Sequence, residues 1–143
     1  MYKVCVFAGT TEGREVVEFL SSQPVDVTAC VATEYGETLL PTADNLTVSA
    51  KRLPVTEITK MLSATPFDLV IDATHPYAAS ITQSISAACH ATETEYLRLL
   101  REASTISSDV VYVPDTESAV KFLNDTEGNI LLTTGSKELA KYS

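Results

Sequence analysis

The chain has 143 residues, 45% of them hydrophobic, and a formal net charge of −9. That length suits one domain of ordinary size, or one domain and the start of another, and the apolar content can build a core, which argues against disorder. The acidic balance argues against a nucleic-acid or anionic-membrane partner, since both require a basic footprint.

Lys3 to Phe7 reads as a buried first strand. It runs into Ala8-Gly9-Thr10-Thr11-Glu12-Gly13-Arg14, and then into a helix whose Val16, Val17, Phe19 and Leu20 share one face. Thr10 or Thr11 can cap that helix. Gly9 permits a sharp turn and a close ligand. A strand, a glycine turn and a helix N-terminus together form an anion-binding arrangement. The spacing is G-x-x-x-G and not G-x-G-x-x-G, so a plain tight turn reads equally well. Glu12 suits a helix N-terminus but would repel a phosphate beside it. Either Arg14 offsets it or it points away; the sequence leaves both open.

Val25 to Ala32 is the second strand, followed by Thr33-Glu34-Tyr35-Gly36. In a dinucleotide fold an acid here meets the adenosine ribose and favours a free 2′-OH. Glu34 is placed for that, or is simply a solvated carboxylate. Pro41 to Asn45 reads as loop and Leu46 to Ser49 as a short strand. Lys51 and Arg52 are a local basic pair, either a surface pair or the receivers of an acidic ligand. Pro54 opens a helix carrying Val55, Ile58, Met61 and Leu62.

Phe67 to Ala78, FDLVIDATHPYA, is the stretch around which the rest is organised. Leu69, Val70 and Ile71 look like a strand buried on both faces. Asp72 closes it. Thr74, His75 and Tyr77 follow in a tight turn, at the strand end where an α/β sheet lines its ligand crevice. Ala78 to His90 is the next helix, with Ile81, Ile85, Ala88 and Cys89 inward; His90 at its end is read as structural. Glu95 to Leu100 is a strand holding Arg98 among apolar neighbours, and a buried arginine needs a carboxylate or a ligand anion. A Ser-rich connection covers Ala103 to Asp109. Val110 to Val113 reads as a strand, Asp115 or Thr116 starts a helix, and Ile130 to Thr133 reads as a last strand. That strand runs into Thr134-Gly135-Ser136-Lys137 and a helix start, repeating the logic of the first unit.

The expected architecture is therefore α/β: a Rossmann-like, doubly wound, mainly parallel sheet with helices on both faces. A boundary near Asn124 to Asn129 would divide residues 1–126, the Rossmann-like domain, from 127–143, the start of a second α/β domain. Cys5, Cys30 and Cys89 are odd in number and widely spaced, with no C-x-x-C or His/Cys cluster. They read as small buried hydrophobes, and no metal site is expected. The segment from Met1 has too short an apolar run for a signal peptide, and nothing approaches a membrane span, so the expected location is cytoplasmic.

Five segments together resemble the precorrin-6A reductase family of corrin-ring biosynthesis: FAGTTEGR at Phe7–Arg14, ATEYGE at Ala32–Glu37, IDATHPYA at Ile71–Ala78, YLRLLRE at Tyr96–Glu102 and LLTTGSKEL at Leu131–Leu139. The GTTEGR and DATHPYA pair is the specific part. The region around ATEYGE and RLP looks more like variants of the anaerobic, cobalt-containing route. The resemblance implies two Rossmann-like halves with ligands between them. It implies hydride transfer from NADPH or NADH to one double bond of a carboxylate-rich tetrapyrrole. Family members are much longer, so this chain would match a first half whose partner half, or an oligomer, completes the cleft.

On that basis Gly9, Thr10, Thr11, Gly13 and Arg14 are candidates for the dinucleotide pyrophosphate, and Glu34 for the ribose. Thr74, His75 and Tyr77 fall on the nicotinamide and substrate side. His75 is the candidate proton donor, because imidazoles exchange protons near neutral pH. As a loop histidine it would only bond the turn. Asp72 either orients His75 or caps the following helix. Thr134, Gly135 and Lys137 would close the cleft from the second half, and Lys51, Arg52 and Arg98 are candidates for substrate carboxylates. Two other classes stay open: a nucleotide-binding module without chemistry, and an α/β hydrolase using Thr, His and Asp. The lack of a G-x-S-x-G elbow counts against the hydrolase.

Overall fold

The computed structural model describes residues 1–101 and 108–143. It divides into two compact units, Met1–Glu102 and Ala103–Ser143. The first contains β1 (Tyr2–Ala8), α1 (Thr11–Ser21), β2 (Val25–Val31), α2 (Glu34–Thr38), β3 (Leu46–Ala50), α3 (Val55–Ala64), β4 (Leu69–Ala73), α4 (Ala79–Ala91) and β5 (Tyr96–Arg98). The strands form one five-stranded sheet in the order β3-β2-β1-β4-β5, and every neighbouring pair is parallel.

Strand alternation explains why helices cover both faces. Val4, Val6 and Ala8 of β1 join Val17 of α1 and Val27, Ala29 and Val31 of β2 in one cluster. Cys5 and Phe7 point the other way, onto Ile58 and Leu62 of α3 and Ile85, Ala88 and Cys89 of α4. Ile58 and Ile85 are fully enclosed, and each such side chain contributes about 1.5–3 kcal/mol of burial. All three cysteines are buried free thiols, as their spacing suggested.

The chain leaves β1 into a helix on one face and leaves β4 into a helix on the other. The gap between β1 and β4 is therefore a topological switch point, where open α/β sheets form their ligand crevice at the carboxyl ends of the strands. Thr10 fixes this end of the sheet. Its hydroxyl caps α1 by accepting from the Gly13 N–H at 3.1 Å and donates to the Ala73 carbonyl of β4 at 3.0 Å.

The second unit contains α5 (Thr116–Asn124) and a 3₁₀ helix (Ser136–Tyr142). Asp115 caps α5 by accepting from the Ser118 N–H at 2.8 Å. Thr116 donates to Glu138 at 3.0 Å, joining the two helices. Here the structure departs from the sequence reading in three ways. Residues 110–113 and 130–133 are not strands. A strand exists only where a neighbouring backbone takes its hydrogen bonds, and apolar composition alone does not supply one. Val111 and Leu131 instead stand exposed. The segment after Gly135 is 3₁₀ and not α-helical. Finally, the two compact units divide at Glu102/Ala103, upstream of the boundary expected near residues 124–129. The Ser-rich connection expected over 103–109 lies largely outside the described residues.

Candidate functional site

A cavity of about 680 Å³ opens at the carboxyl ends of the strands. Four successive turns build it. Gly9 follows β1, Val31 and Ala32 close β2, Lys51 to Pro54 follow β3, and Thr74 to Ser80 follow β4. Its size lies within the usual range for small-molecule sites. Of the residues expected at a site, Gly9, Lys51, Arg52, Thr74, His75 and Tyr77 all line it. They come from positions up to 68 residues apart in sequence (Gly9 to Tyr77), so only the sheet brings them together.

Gly9 has an ordinary negative-φ backbone, so its missing side chain matters more than its turn freedom. An added Cβ would stand 3.5 Å from the Thr74 Cα, an unstrained distance. The position is thus bare backbone beside open space. Gly13 differs. A Cβ there would meet the Ala73 Cβ and the Ala8 Cα at 3.0 Å each, so glycine lets α1 lie close against β1 and β4. Buried, it shapes the turn from beneath. Thr11 is exposed at the first position of α1, and the Arg14 Nη2 donates to its hydroxyl at 3.3 Å.

At the turn after β4, the Tyr77 N–H donates to Nδ1 of His75 at 3.2 Å. This bond occupies the Nδ1 lone pair, so the neutral ring carries its proton on Nε2. The two rings lie 5.1 Å apart, tilted by 57°. Tyr77 is 92% exposed, an aromatic face held at the rim of the cavity.

Asp72 is the one buried charged residue among those described. Its Oδ1 accepts from the Thr74 N–H at 3.0 Å, from the Thr74 hydroxyl at 2.7 Å and from Nη1 of Arg98 at 2.6 Å. Its Oδ2 accepts from the Tyr96 hydroxyl at 3.0 Å. Burial, and then the bond to Asp72, push the Tyr96 phenol up to about 12. These bonds replace both roles expected for Asp72. His75 takes its bond from Tyr77, and α4 has no side-chain cap. Asp72 has instead become the anchor that holds Thr74 at the cavity wall. Arg98 was expected to need a carboxylate or a ligand anion, and Asp72 is that carboxylate.

Glu34 begins α2 and is not among the residues lining the cavity. The carboxylate that troubled the first turn, Glu12, is neutralised by a residue the sequence reading had not paired with it. Arg101 grips it through Nε at 2.7 Å and Nη2 at 3.0 Å. That bond, ahead of all other causes, lowers the Glu12 carboxyl to about 2. Nothing local signals a pair 89 residues apart. The role of Tyr96 was more accessible, since it shares a strand face with Arg98 two residues on. Thr134, Gly135 and Lys137 belong to the second unit, where Gly135 precedes the 3₁₀ helix and Lys137 lies within it.

A family model described as precorrin-6x reductase CbiJ/CobK matches residues 3–143. The chain belongs to that family. A relative in Synechocystis sp., cobalt-precorrin-6A reductase, is 31% identical over 143 residues, covering 98% of this chain and 55% of that protein. The solved structure of CobK precorrin-6A reductase superposes with a TM-score of 0.69 at 28% identity, covering 85% of this chain and 48% of that one. A Rossmann-fold NAD(P)-binding family protein from Shigella flexneri, 17% identical with a TM-score of 0.55, shares the fold. The chain spans about half the length of the curated relatives it matches. The Rossmann-like architecture read from the sequence is thus the family's fold, and the family is one of oxidoreductases of cobalamin biosynthesis. No described helix is long and apolar enough to cross a membrane.

Proposed function

We propose that this chain provides the nicotinamide-binding half of a reductase acting on the macrocycle of precorrin-6A or cobalt-precorrin-6A, in the cytoplasm. The observation that carries the reading is the switch-point cavity, in which Gly9, Thr74, His75 and Tyr77 meet. The activity of the cobalt-precorrin-6A reductases it resembles names the substrate class.

The residues present fit a dinucleotide. Bare backbone at Gly9 admits a ligand closely, and Phe7, Val31 and Leu53 offer apolar walls. The cationic side chains Lys51 and Arg52 suit its phosphates. At the first turn of α1 the Gly13 and Arg14 N–H groups are taken by the hydroxyl and carbonyl of Thr10, which leaves the Thr11 N–H at the helix terminus for the pyrophosphate. In this reading Thr10 and Gly13 hold the turn, while Thr11 and Arg14 face the ligand. Glu12, already neutralised by Arg101, no longer opposes an anion there. When bound, a reduced nicotinamide supplies hydride to one carbon of a conjugated double bond.

The far end of that bond then requires a proton. The Tyr77 N–H orients the resting His75 ring through Nδ1; on taking a second proton from solvent, the imidazolium gives one up from Nε2 and returns to the neutral ring. Tyr77 presents its ring to a flat ligand at the rim. Thr74, held by Asp72, Arg98 and Thr82, sets the position of the turn.

The test is to supply reduced nicotinamide and either macrocycle to this chain, alone and with the complementary half of a family member. Cofactor absorbance and the mass of the macrocycle are followed. Oxidation coupled to a gain of two hydrogens supports the proposal. Binding without turnover in both mixtures would leave a nucleotide-binding module and overturn the reductase reading.

A further inference from the structure

We propose that Arg101 is a positioning residue for dinucleotide binding, acting on the ligand through Glu12 and not by touching it. This rests on the nicotinamide reading above and adds a residue outside the cavity lining that tunes the same site.

The first support is what surrounds the anion. Glu12 is the acidic residue in the first turn of α1, next to Thr11, whose N–H is left for the pyrophosphate. Its carboxylate also draws on its own N–H and on Thr10, which keeps it close to the helix terminus. A carboxylate there suits the helix dipole but repels a second anion. Arg101 meets it with two donors, Nε at 2.7 Å and Nη2 at 3.0 Å. Paired in this way, Glu12 presents the ligand with a neutral group. Arg14, the other cation of the turn, donates to the Thr11 hydroxyl and forms no ion pair with Glu12 among the described residues.

The second support is how Arg101 reaches α1. It stands just beyond Arg98, the last residue of β5. Arg98 bonds to Asp72 and Thr74, and the Leu99 N–H donates to the Asp72 carbonyl at 2.9 Å. Leu99 then packs against the apolar cluster that contains Val17 of α1. The exit of β5 is thus pinned at each step between the β4 turn and α1. Two arginines of one short segment serve the two turns of the crevice, Arg98 the turn carrying His75 and Arg101 the turn after β1.

The third is exposure. Arg101 and Glu12 keep 53% and 33% of their side chains exposed, so their pairing adds little to folding. What it changes is the field at the helix terminus, where a bound phosphate would feel it.

The experiment is a set of fluorescence titrations of this chain with NADPH and NADH at low and high salt. Wild type is compared with Arg101→Gln, Glu12→Gln, the double variant and the charge-keeping Arg101→Lys, and circular dichroism verifies that each is folded. Arg101→Gln is expected to weaken both dinucleotides by about five- to tenfold, the scale of one uncompensated charge near a phosphate in screened surroundings. Raising the salt should shrink that loss. Glu12→Gln should bind at least as tightly as wild type, and the double variant should return to the Glu12→Gln level. Arg101→Lys should stay within about twofold of wild type, because the neutralising charge is kept. Unchanged affinity in Arg101→Gln would overturn this inference and spare the nicotinamide reading. A double variant as weak as Arg101→Gln would overturn the route through Glu12, since removing the acid repairs neither a lost direct contact nor a merely structural fault. Failure of wild type to bind either dinucleotide would overturn the nicotinamide reading and this inference together.

Discussion

Asp72 and Arg98 stand directly opposite each other in the β4–β5 ladder, and Nη1 of Arg98 lies 2.6 Å from Oδ1 of Asp72. The same nitrogen also donates to the Asp72 carbonyl at 3.1 Å and to the Thr74 hydroxyl at 3.0 Å. One arginine thus ties the last strand of the sheet to the turn that carries His75. The carboxylate is wholly buried, while Arg98 keeps 17% of its side chain exposed. Removing the arginine leaves a buried, uncompensated charge, and removing the acid leaves an arginine that can still reach water. We expect Arg98→Ala to destabilise the fold by about 3 kcal/mol and Asp72→Ala by less, the scale for breaking a buried pair. Urea unfolding followed by circular dichroism measures both, and equal midpoints for wild type and Arg98→Ala would refute it.

Gly13→Ala sets two effects against each other. Alanine favours a helix interior by about 1 kcal/mol over glycine. The new Cβ, however, would press on a backbone carbon of Ala8 and on the Ala73 methyl at 3.0 Å, and neither has a rotamer to yield. Overpacking of this kind costs about 1–3 kcal/mol. The clash is expected to win, with a lower melting temperature and a weakened α1 turn. Gly9→Ala, whose Cβ meets nothing closer than 3.5 Å, should fold normally and show its effect in ligand affinity.

Glu12 and Arg101 predict a pH dependence of defined sign. The folded-state carboxyl titrates at about 2 against an ordinary 4.5. A depressed acid contributes its stability fully above the unfolded value. That contribution is lost as pH falls from about 4.5 toward 2. Both side chains are substantially exposed, so added salt should weaken the pair. An NMR titration of the Glu12 carboxyl should give a midpoint near 2 in wild type. Arg101→Gln should move it upward, and an unmoved midpoint would remove Arg101 as the cause.

The thiols should label in a fixed order. Cys30 lines the cavity, and its Sγ lies 4.0 Å from that of Cys5. The Cys5 thiol bonds to it and lowers its pKa, with Lys51 assisting, while the Cys5 thiol is itself raised. Cys89 is pushed up to about 11 by burial and by the Asp72 charge. Alkylation followed by peptide mass spectrometry should therefore modify Cys30 first. A bound nicotinamide dinucleotide should slow that step. Preferential labelling of Cys89 would contradict the arrangement.

His75→Ala, made in a full-length family protein at the matching position, should lower turnover by about a hundredfold if Nε2 delivers the proton. The loss should appear in kcat more than in KM. A His75→Ala enzyme with near-normal turnover would reduce the residue to a bond within its turn.

Most of the first unit was legible in the sequence because its signals are local. Apolar runs such as Lys3 to Phe7 and Leu69 to Ile71 alternate with helical periodicities, and Thr10 caps the helix after it. Together these determined the α/β class, and the motifs after β1 and β4 marked the strand ends that face the cavity. Only the tertiary structure decided which charges meet. Asp72 went to Arg98 rather than to His75, Glu12 went to Arg101 rather than to Arg14, and Lys51 and Arg52 joined the cavity that Glu34 does not line. It also decided that residues 110–113 and 130–133, strand-like in composition, are not strands. Helix periodicity and capping are satisfied by residues a few positions apart. Ladder bonds and ion pairs need partners that the chain supplies only after folding has set its register.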